Sequence, residues 1–387
     1  MSDDLRVAVI GLGARGYLAD LVHRPGAGAR VVACVDPRPG ALADLTMRFG
    51  PEVRAYADHR DLDLANLDAA FVLSPDDTHE PIAIHLLSHG VATFVEKPIA
   101  ITTEGADRVL GAARDGKARV FVGHNLRHAP FVLTMREIIA SGAIGRVMSI
   151  WCRHFVGHGG DYYFKDWHAD RRRSTGLLLQ KGAHDIDVIH WLADGRTAAV
   201  SAFGSLGVYG DITDHQDRSD QLMPEWFDYG NWPPSSLRGL NPVVDVEDLS
   251  VVNLQLDNGV LATYQQCHYT PDYWRNYTVI GTHGRLENFG DLSGATVKVW
   301  NSRRSGYRAD PDISVDVPVD DDHHGGADPA IVDEFLQFAR SGGLTNTSPV
   351  AARDAVAAGV AATSSLRAGG ALTQVPTLAA DIADYFR

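Results

Sequence analysis

A chain of 387 residues exceeds the ~250–300 at which one hydrophobic core stops growing, so two domains with a cleft between them are expected. With 45% hydrophobic and 22% charged residues and a formal net charge of −14, it lacks the basic surface of a nucleic-acid binder, and no apolar run approaches the ~20 residues of a bilayer span. The three cysteines, Cys34, Cys152 and Cys267, are too few and scattered for a disulfide framework or a thiolate metal site. The short acidic start Met1–Leu5 carries no export signal, so a cytoplasmic protein acting on small molecules is expected.

In chain order, Leu5–Ile10, Val31–Val35, Ala69–Leu73, Ala92–Val95 and Val120–Val122 are short apolar runs separated by helix-length segments. Continuous apolar strands with room for right-handed crossovers predict an α/β unit over residues 1–123, a Rossmann doubly wound parallel sheet. Beyond Gly123 a helix at Phe131–Ser141 precedes strands at Val147–Phe155, Ala198–Val208, Leu249–Leu256 and Leu261–Cys267. Asp257-Asn258-Gly259 supplies a tight hairpin turn, and Tyr277–Ile280 with Arg285–Phe289 forms a second hairpin through Gly281–Gly284. Residues 124–387 are therefore expected to form an α+β domain with a large, mainly antiparallel open sheet, for substrate binding and oligomerisation. Residues 207–246 form a long loop-like insertion with Trp226, Phe227, Tyr229 and Trp232, and the Ala-rich Val350–Leu366 is a helix that packs on another helix. Asp320–Asp322 with His323 and His324 has the composition of a metal cluster but not the spacing, so it is read as a solvated acidic loop and no metal centre is expected.

Chemistry enters at Gly11-Leu12-Gly13-Ala14-Arg15-Gly16, which follows the first strand and is expected to open a helix. The first glycine permits the turn, the second lets amides approach a pyrophosphate and the third allows close helix packing, so Gly11, Gly13, Ala14, Arg15 and Gly16 form a candidate cofactor loop. Asp36, about 20 residues after the loop, is placed to accept the adenosine ribose hydroxyls, which favours NAD. Arg38 can meet a 2′-phosphate, so NADP stays open.

Further motifs resemble the Gfo/Idh/MocA oxidoreductase family over nearly the whole chain. Ser74-Pro75-Asp76-Asp77-Thr78-His79 is similar to its Ser/Thr-Pro turn, and Glu96-Lys97-Pro98 to its Glu-Lys-Pro motif, whose proline commonly follows a cis peptide. Gly123-His124-Asn125-Leu126-Arg127 is similar to its passage into the second domain, and Gly176, Gly182, His184 and Asp187 to its fourth motif. Thr175 replaces a usual glycine there, and Gln180 stands where many members carry aspartate, with Lys181 beside it.

The resemblance implies cofactor contacts for Ser74, Pro75, His79, Glu96 and Lys97, and substrate contacts for Lys97, Asn125, Arg127, Trp167, His168, Gln180 and His184. Asp187 is read either as a substrate ligand or as a structural carboxylate, and Arg171–Arg173 either as substrate contacts or as a solvated basic loop. Oxidising a secondary alcohol needs a base and a group that stabilises the alkoxide, so Lys97 and His184 come first, with Lys181 as alternative base. On a helix Gln180 and Lys181 lie four and three residues before His184, so all three can share one face. The implied activity is NAD-dependent oxidation of a sugar, inositol or related polyol by a homodimer or homotetramer associating through the open sheet. Two alternatives are transient oxidation by tightly held NAD to cleave a glycoside or eliminate a leaving group, and a non-catalytic NAD-binding protein.

Overall fold

The computed structural model describes residues 4–292, 294–318 and 326–386. Strands β1 (Leu5–Ile10), β2 (Ala29–Val35), β3 (Arg54–Tyr56), β4 (Ala69–Val72), β5 (Ala92–Val95) and β6 (Val120–Val122) form one parallel sheet in the order β3-β2-β1-β4-β5-β6. Every residue of β4 and β5 is buried, because both faces are covered, and this produces their continuous apolar runs. The three-residue edge strand β3 has no such run and gave no signal.

Helices α1 (Leu18–Val22), α2 (Leu45–Phe49), α3 (Asp76–Ser88) and α4 (Thr103–Asp115) cover the two faces. The glycine loop does not run straight into a helix as expected. Residues 13–17 form successive turns, with Gly16 N donating to Gly13 O and Leu18 N to Arg15 O, and α1 is only five residues long.

The second sheet has nine strands: β7 (Val147–Phe155), β8 (Thr197–Ser205), β9 (Leu249–Leu256), β10 (Leu261–Cys267), β11 (Trp274–Gly281), β12 (Arg285–Phe289), β13 (Thr296–Trp300), β14 (Ile313–Asp316) and β15 (Thr373–Gln374), ordered β14-β13-β12-β11-β7-β10-β9-β8-β15. Its pairs are antiparallel except β7 with β10, where the first strand is inserted between two meanders. Both expected hairpins form, and Gly259 takes the φ of +87° that the first turn requires. β8 ends at Ser205 rather than Val208, because the Asp248 carboxylate accepts the amides of Gly207, Val208 and Tyr209 and turns the chain away.

One face of this sheet is covered by α5 (Pro130–Ala140), α6 (Gly159–Tyr163), α8 (Leu177–Gln180) and α9 (Gly182–Ala193), while α7 (Arg171–Ser174) packs against α3. The other exposes Trp151, Phe203, Val251, Leu261 and Ile280. Residues 206–248 carry only short turns of 3-10 helix, in keeping with the expected insertion.

The chain then returns to the first sheet. α10 (Ala327–Ser341) lays Phe335 on Phe71, Phe94 and Phe121, and α11 (Pro349–Arg367) inserts small side chains between the two cores, before the terminal α12 (Ala380–Tyr385). Among the described residues no helix is long and apolar enough to cross a membrane. Asp320–Asp322, His323 and His324 lie outside the described residues.

Candidate active site

At the carboxyl end of β1, Gly11 has φ +94°, and a Cβ there would lie 2.6 Å from Ser74 N, so only glycine brings the loop against the next turn. A Cβ on Gly13 would meet nothing nearer than the Arg38 guanidinium at 3.9 Å, which leaves an open cradle suited to a pyrophosphate. On Gly16 a Cβ would strike Leu12 backbone at 2.9 Å. Ala14 lies in the turn between them.

Asp36, at the end of β2, is 2% exposed and already engaged. It accepts Leu12 N at 2.9 Å, Arg38 N at 3.0 Å, and Arg38 Nε and Nη2 at 2.9 Å each. Burial works to raise its pKa, but the bonds from Arg38 and Leu12 prevail and hold it below the ordinary carboxylate range. Arg38 Nη1 also donates to the Gln221 carbonyl at 3.3 Å, so the insertion reaches across to the ribose corner.

Arg15 does not extend into the cradle. It pairs with Glu96 Oε1 at 2.6 Å and with both Asp328 oxygens at 2.8 and 3.0 Å, tying the glycine loop to the turn after β5 and to α10. Asn125 Nδ2 donates to the same Asp328 at 2.9 Å.

The turn after β5 faces the turn after β4. His79, 1% exposed, approaches the Ser74 and Pro98 carbonyls at 2.7 Å each and staples the two together, Thr78 Oγ1 donates to Ser74 Oγ at 2.6 Å, and Pro75 caps α3. Lys97–Pro98 is cis, in keeping with the motif, and Glu96 Oε2 accepts Lys97 N at 2.7 Å. Lys97 Nζ donates to the Gln180 carbonyl at 2.9 Å.

That contact depends on a departure from the expected helix. Gln180, Lys181 and His184 do not share one continuous helical face: α8 ends at Gln180 and α9 starts at Gly182, with Lys181 at the break. Helix termini leave carbonyls without intrahelical partners, so the Gln180 oxygen is open to the lysine. Upstream, Thr175 holds φ +64° where the family pattern has glycine, and its Oγ1 donates to Ile101 O at 2.6 Å, which anchors α8 beside the Lys97 turn.

Lys97, Lys181 and His184 form one cluster of buried basic side chains. Burial lowers the Lys97 pKa against the pull of Asp76 and Glu96. Burial, with Arg275 and Lys97 adding to it, lowers Lys181 to about 7. Burial and the neighbouring Lys97 and His124 hold His184 well below its ordinary value, so it is neutral at pH 7. His184 Nδ1 and Gln180 Oε1 are buried with no hydrogen-bond partner among the described residues. Lys181 Nζ lies 5.8 Å from the centre of the Tyr163 ring.

Several groups here were given no role from the sequence. Asp76 Oδ2 is buried without a partner, and burial, opposed by Lys97, raises its pKa well above the ordinary value. Beneath the lysines a polar row crosses the covered face of the second sheet in register, Arg275–His154–Gln266–Ser250 on β11, β7, β10 and β9. Asp185, fully buried, gathers it: His154 Nδ1 lies at 2.8 Å, Arg275 Nε at 3.0 Å, and Tyr264 and Tyr277 donate at 2.9 and 2.5 Å. Burial raises the Asp185 pKa, but Arg275 and His154 outweigh it and keep the carboxylate ionised. The alternation Tyr264, Gln266, His268 was the available signal, a polar period-two stripe within a core strand.

Other residues assigned from the resemblance are structurally engaged. Arg127 clamps Asp187 through two bonds of 2.7 Å, the arrangement of a structural pair, and donates to Asn346 O at 2.7 Å. Trp167 stacks on His168 at 3.7 Å, His168 Nδ1 meets Asp166 at 2.6 Å, and Tyr163 packs edge-on to His168. Arg171, Arg172 and Arg173 pair with Asp245, Asp170 and Asp77, so the segment is pinned rather than loose.

Residues 5–124 match the GFO/IDH/MocA oxidoreductase family, NAD-binding Rossmann fold, and residues 132–287 match the GFO/IDH/MocA C-terminal domain. Putative oxidoreductase YteT of Bacillus subtilis is 24% identical over 85% of this chain and 88% of its own length. Inositol 2-dehydrogenase of Burkholderia multivorans is 33% identical over 49% of this chain, a match that spans only 54% of that protein. A solved levoglucosan dehydrogenase in complex with NADH and levoglucosan shares the fold, with TM-score 0.76 and 21% identity over 97% of this chain and 100% of its own.

Proposed function

Because the chain belongs to the GFO/IDH/MocA oxidoreductase family, which opens on an NAD-binding Rossmann fold, we propose that it transfers a hydride between nicotinamide and a secondary alcohol of a sugar, inositol or related polyol. The observation that carries this reading is the meeting of Lys97 with the α8–α9 break, which puts two lysines and a neutral histidine at the carboxyl end of the parallel sheet. Bound NAD supplies the hydride acceptor. Gly11, Gly13 and the turn to Gly16 would hold its pyrophosphate, and Asp36 would accept the ribose hydroxyls. Arg38 would meet the 2′-phosphate of NADP.

Lys97 hydrogen-bonds the reacting oxygen and stabilises alkoxide charge. Lys181, poised near neutral pH, takes the hydroxyl proton, since a base is most effective when its pKa lies close to the working pH. Neutral His184 holds the hydroxyl in line through its unpartnered nitrogen. Self-association, as a homodimer or homotetramer, buries Trp151, Phe203, Val251 and Leu261 of the open sheet face. The three cysteines are all buried and unpaired, which suits a reducing cytoplasm.

The test is a spectrophotometric screen for NADH across sugars and inositols, with NAD and NADP in parallel. Absence of reduced nucleotide with every polyol overturns the reading. The contact of Gln221 with Arg38 favours one variant, in which an arm over the adenosine end retains NAD and the oxidation is transient. Sugar cleavage or elimination without net NADH would identify it.

A further inference from the structure

Beyond the lysine cluster lies a second recess of about 130 Å³ that the reaction above does not use. His158, Asp161 and His268 line one side, at the start of α6, within it and just after β10; Tyr229, Asn231 and Trp232 of the insertion line the other. The insertion is fixed there. Asn231 Nδ2 donates to both Asp161 oxygens at 3.0 Å, Lys165 Nζ donates to Trp226 O at 3.2 Å, and Tyr229 packs edge-on to His158 at 5.1 Å.

Two features of the recess point to a ligand. Tyr229 and Trp232 are 73% and 55% exposed at its edge, although they belong to a pinned segment. His268 is fully buried in its wall, and neither ring nitrogen has a hydrogen-bond partner among the described residues. A buried imidazole without a partner is disfavoured until something donates to it or accepts from it.

The chemistry of the wall selects the ligand. Flat aromatic rings suit the C–H face of a pyranose, while an amide and an imidazole suit its hydroxyls. Lys165 Nζ lies 2.5 Å from Asp161 and balances its charge, so the wall attracts neither a phosphate nor a cation. Tyr163 neighbours both the recess wall and the reacting groups: its ring lies 5.3 Å from that of His268 and 5.8 Å from Lys181 Nζ.

We propose that this recess is a distal sugar subsite, and that the substrate is a two-ring glycoside whose first ring meets Lys97 and Lys181 while the second is held by Trp232, Tyr229 and His268. The proposal rests on the polyol dehydrogenase reading above and adds the size of the substrate to it.

NADH formation is compared for glucose, galactose and myo-inositol against maltose, cellobiose and lactose. At least one disaccharide is expected to exceed its constituent ring about tenfold in kcat/KM, and Trp232→Ala and Tyr229→Ala each remove that ratio through KM. Disaccharides no better than single rings, or a ratio that survives both substitutions, overturn the subsite. If no sugar yields NADH, the dehydrogenase reading fails, and calorimetric titration with the same disaccharides decides the subsite separately: binding abolished by Trp232→Ala sustains it, and no binding to the parent protein overturns it.

Discussion

Lys97 and Lys181 reach one cleft from the end of β5 and from the α8–α9 break, and are held in opposite ways. Lys97 leaves the end of β5 tied to a carbonyl, with Glu96 and Asp76 opposing the effect of burial on its charge. Lys181 sits at a helix break against an aromatic ring, and Arg275 adds to burial instead of opposing it, so its pKa falls to about 7. In the proposed reaction the same side chain serves as an electrostatic anchor in the first setting and as a titrating amine in the second, and the sign of the buried neighbours decides which.

The largest expected effect removes the support beneath Lys181. Asp185→Leu leaves Arg275 buried without its main counter-charge, and loss of one partner of such a pair destabilises by about 3–5 kcal/mol, read as a fall in the denaturant midpoint. A variant as stable as the parent would show that the polar row is not structural. Next, Lys97→Ala should lower kcat by roughly 10²–10³ while the NAD dissociation constant holds, which single-turnover kinetics and cofactor titration separate; unchanged turnover removes Lys97 from the chemistry.

At the cofactor corner, Asp36→Ala and Arg38→Ala should move the ratio of kcat/KM for NAD over NADP in opposite directions. The first lowers it by about 10–100-fold, as for loss of hydrogen bonds to a charged group, and the second raises it by a smaller factor. Shifts of the same sign would contradict the ribose role of Asp36. The smallest effect sharpens the lysine comparison. Alcohol oxidation should rise as pH increases through about 7, because the base acts deprotonated, and in the residual activity of Lys97→Met that limb should move to higher pH as a neighbouring positive charge is lost. A limb that stays in place would assign it to a group other than Lys181.

The first sheet was legible because its chemistry sits on turns. Gly11, Asp36 and Glu96-Lys97-Pro98 stand outside the apolar runs, where glycine, charge and proline are visible against them. Their partners were not legible. Arg15 reads as part of the loop, and its pairing with Asp328 joins residues 313 positions apart. The second sheet conceals its polar groups inside strands: His154, Gln266 and Arg275 occupy ordinary inward positions and become a unit only when register aligns them. Lys181 was visible as a departure from a motif, but the helix break that exposes the Gln180 carbonyl depends on packing against the Lys97 turn, which local propensity does not encode.

The return of α10 onto Phe71, Phe94 and Phe121 has a consequence for synthesis. The nascent chain completes β6 at Val122, yet Phe335, which covers that aromatic face, follows more than two hundred residues later. At ~5–20 residues per second the face waits roughly 10–40 s on the ribosome, with apolar surface exposed. The first sheet is thus sealed only once α10 has been made, and shortened chains that stop before α10 are expected to engage chaperones or aggregate although every strand of that sheet is present.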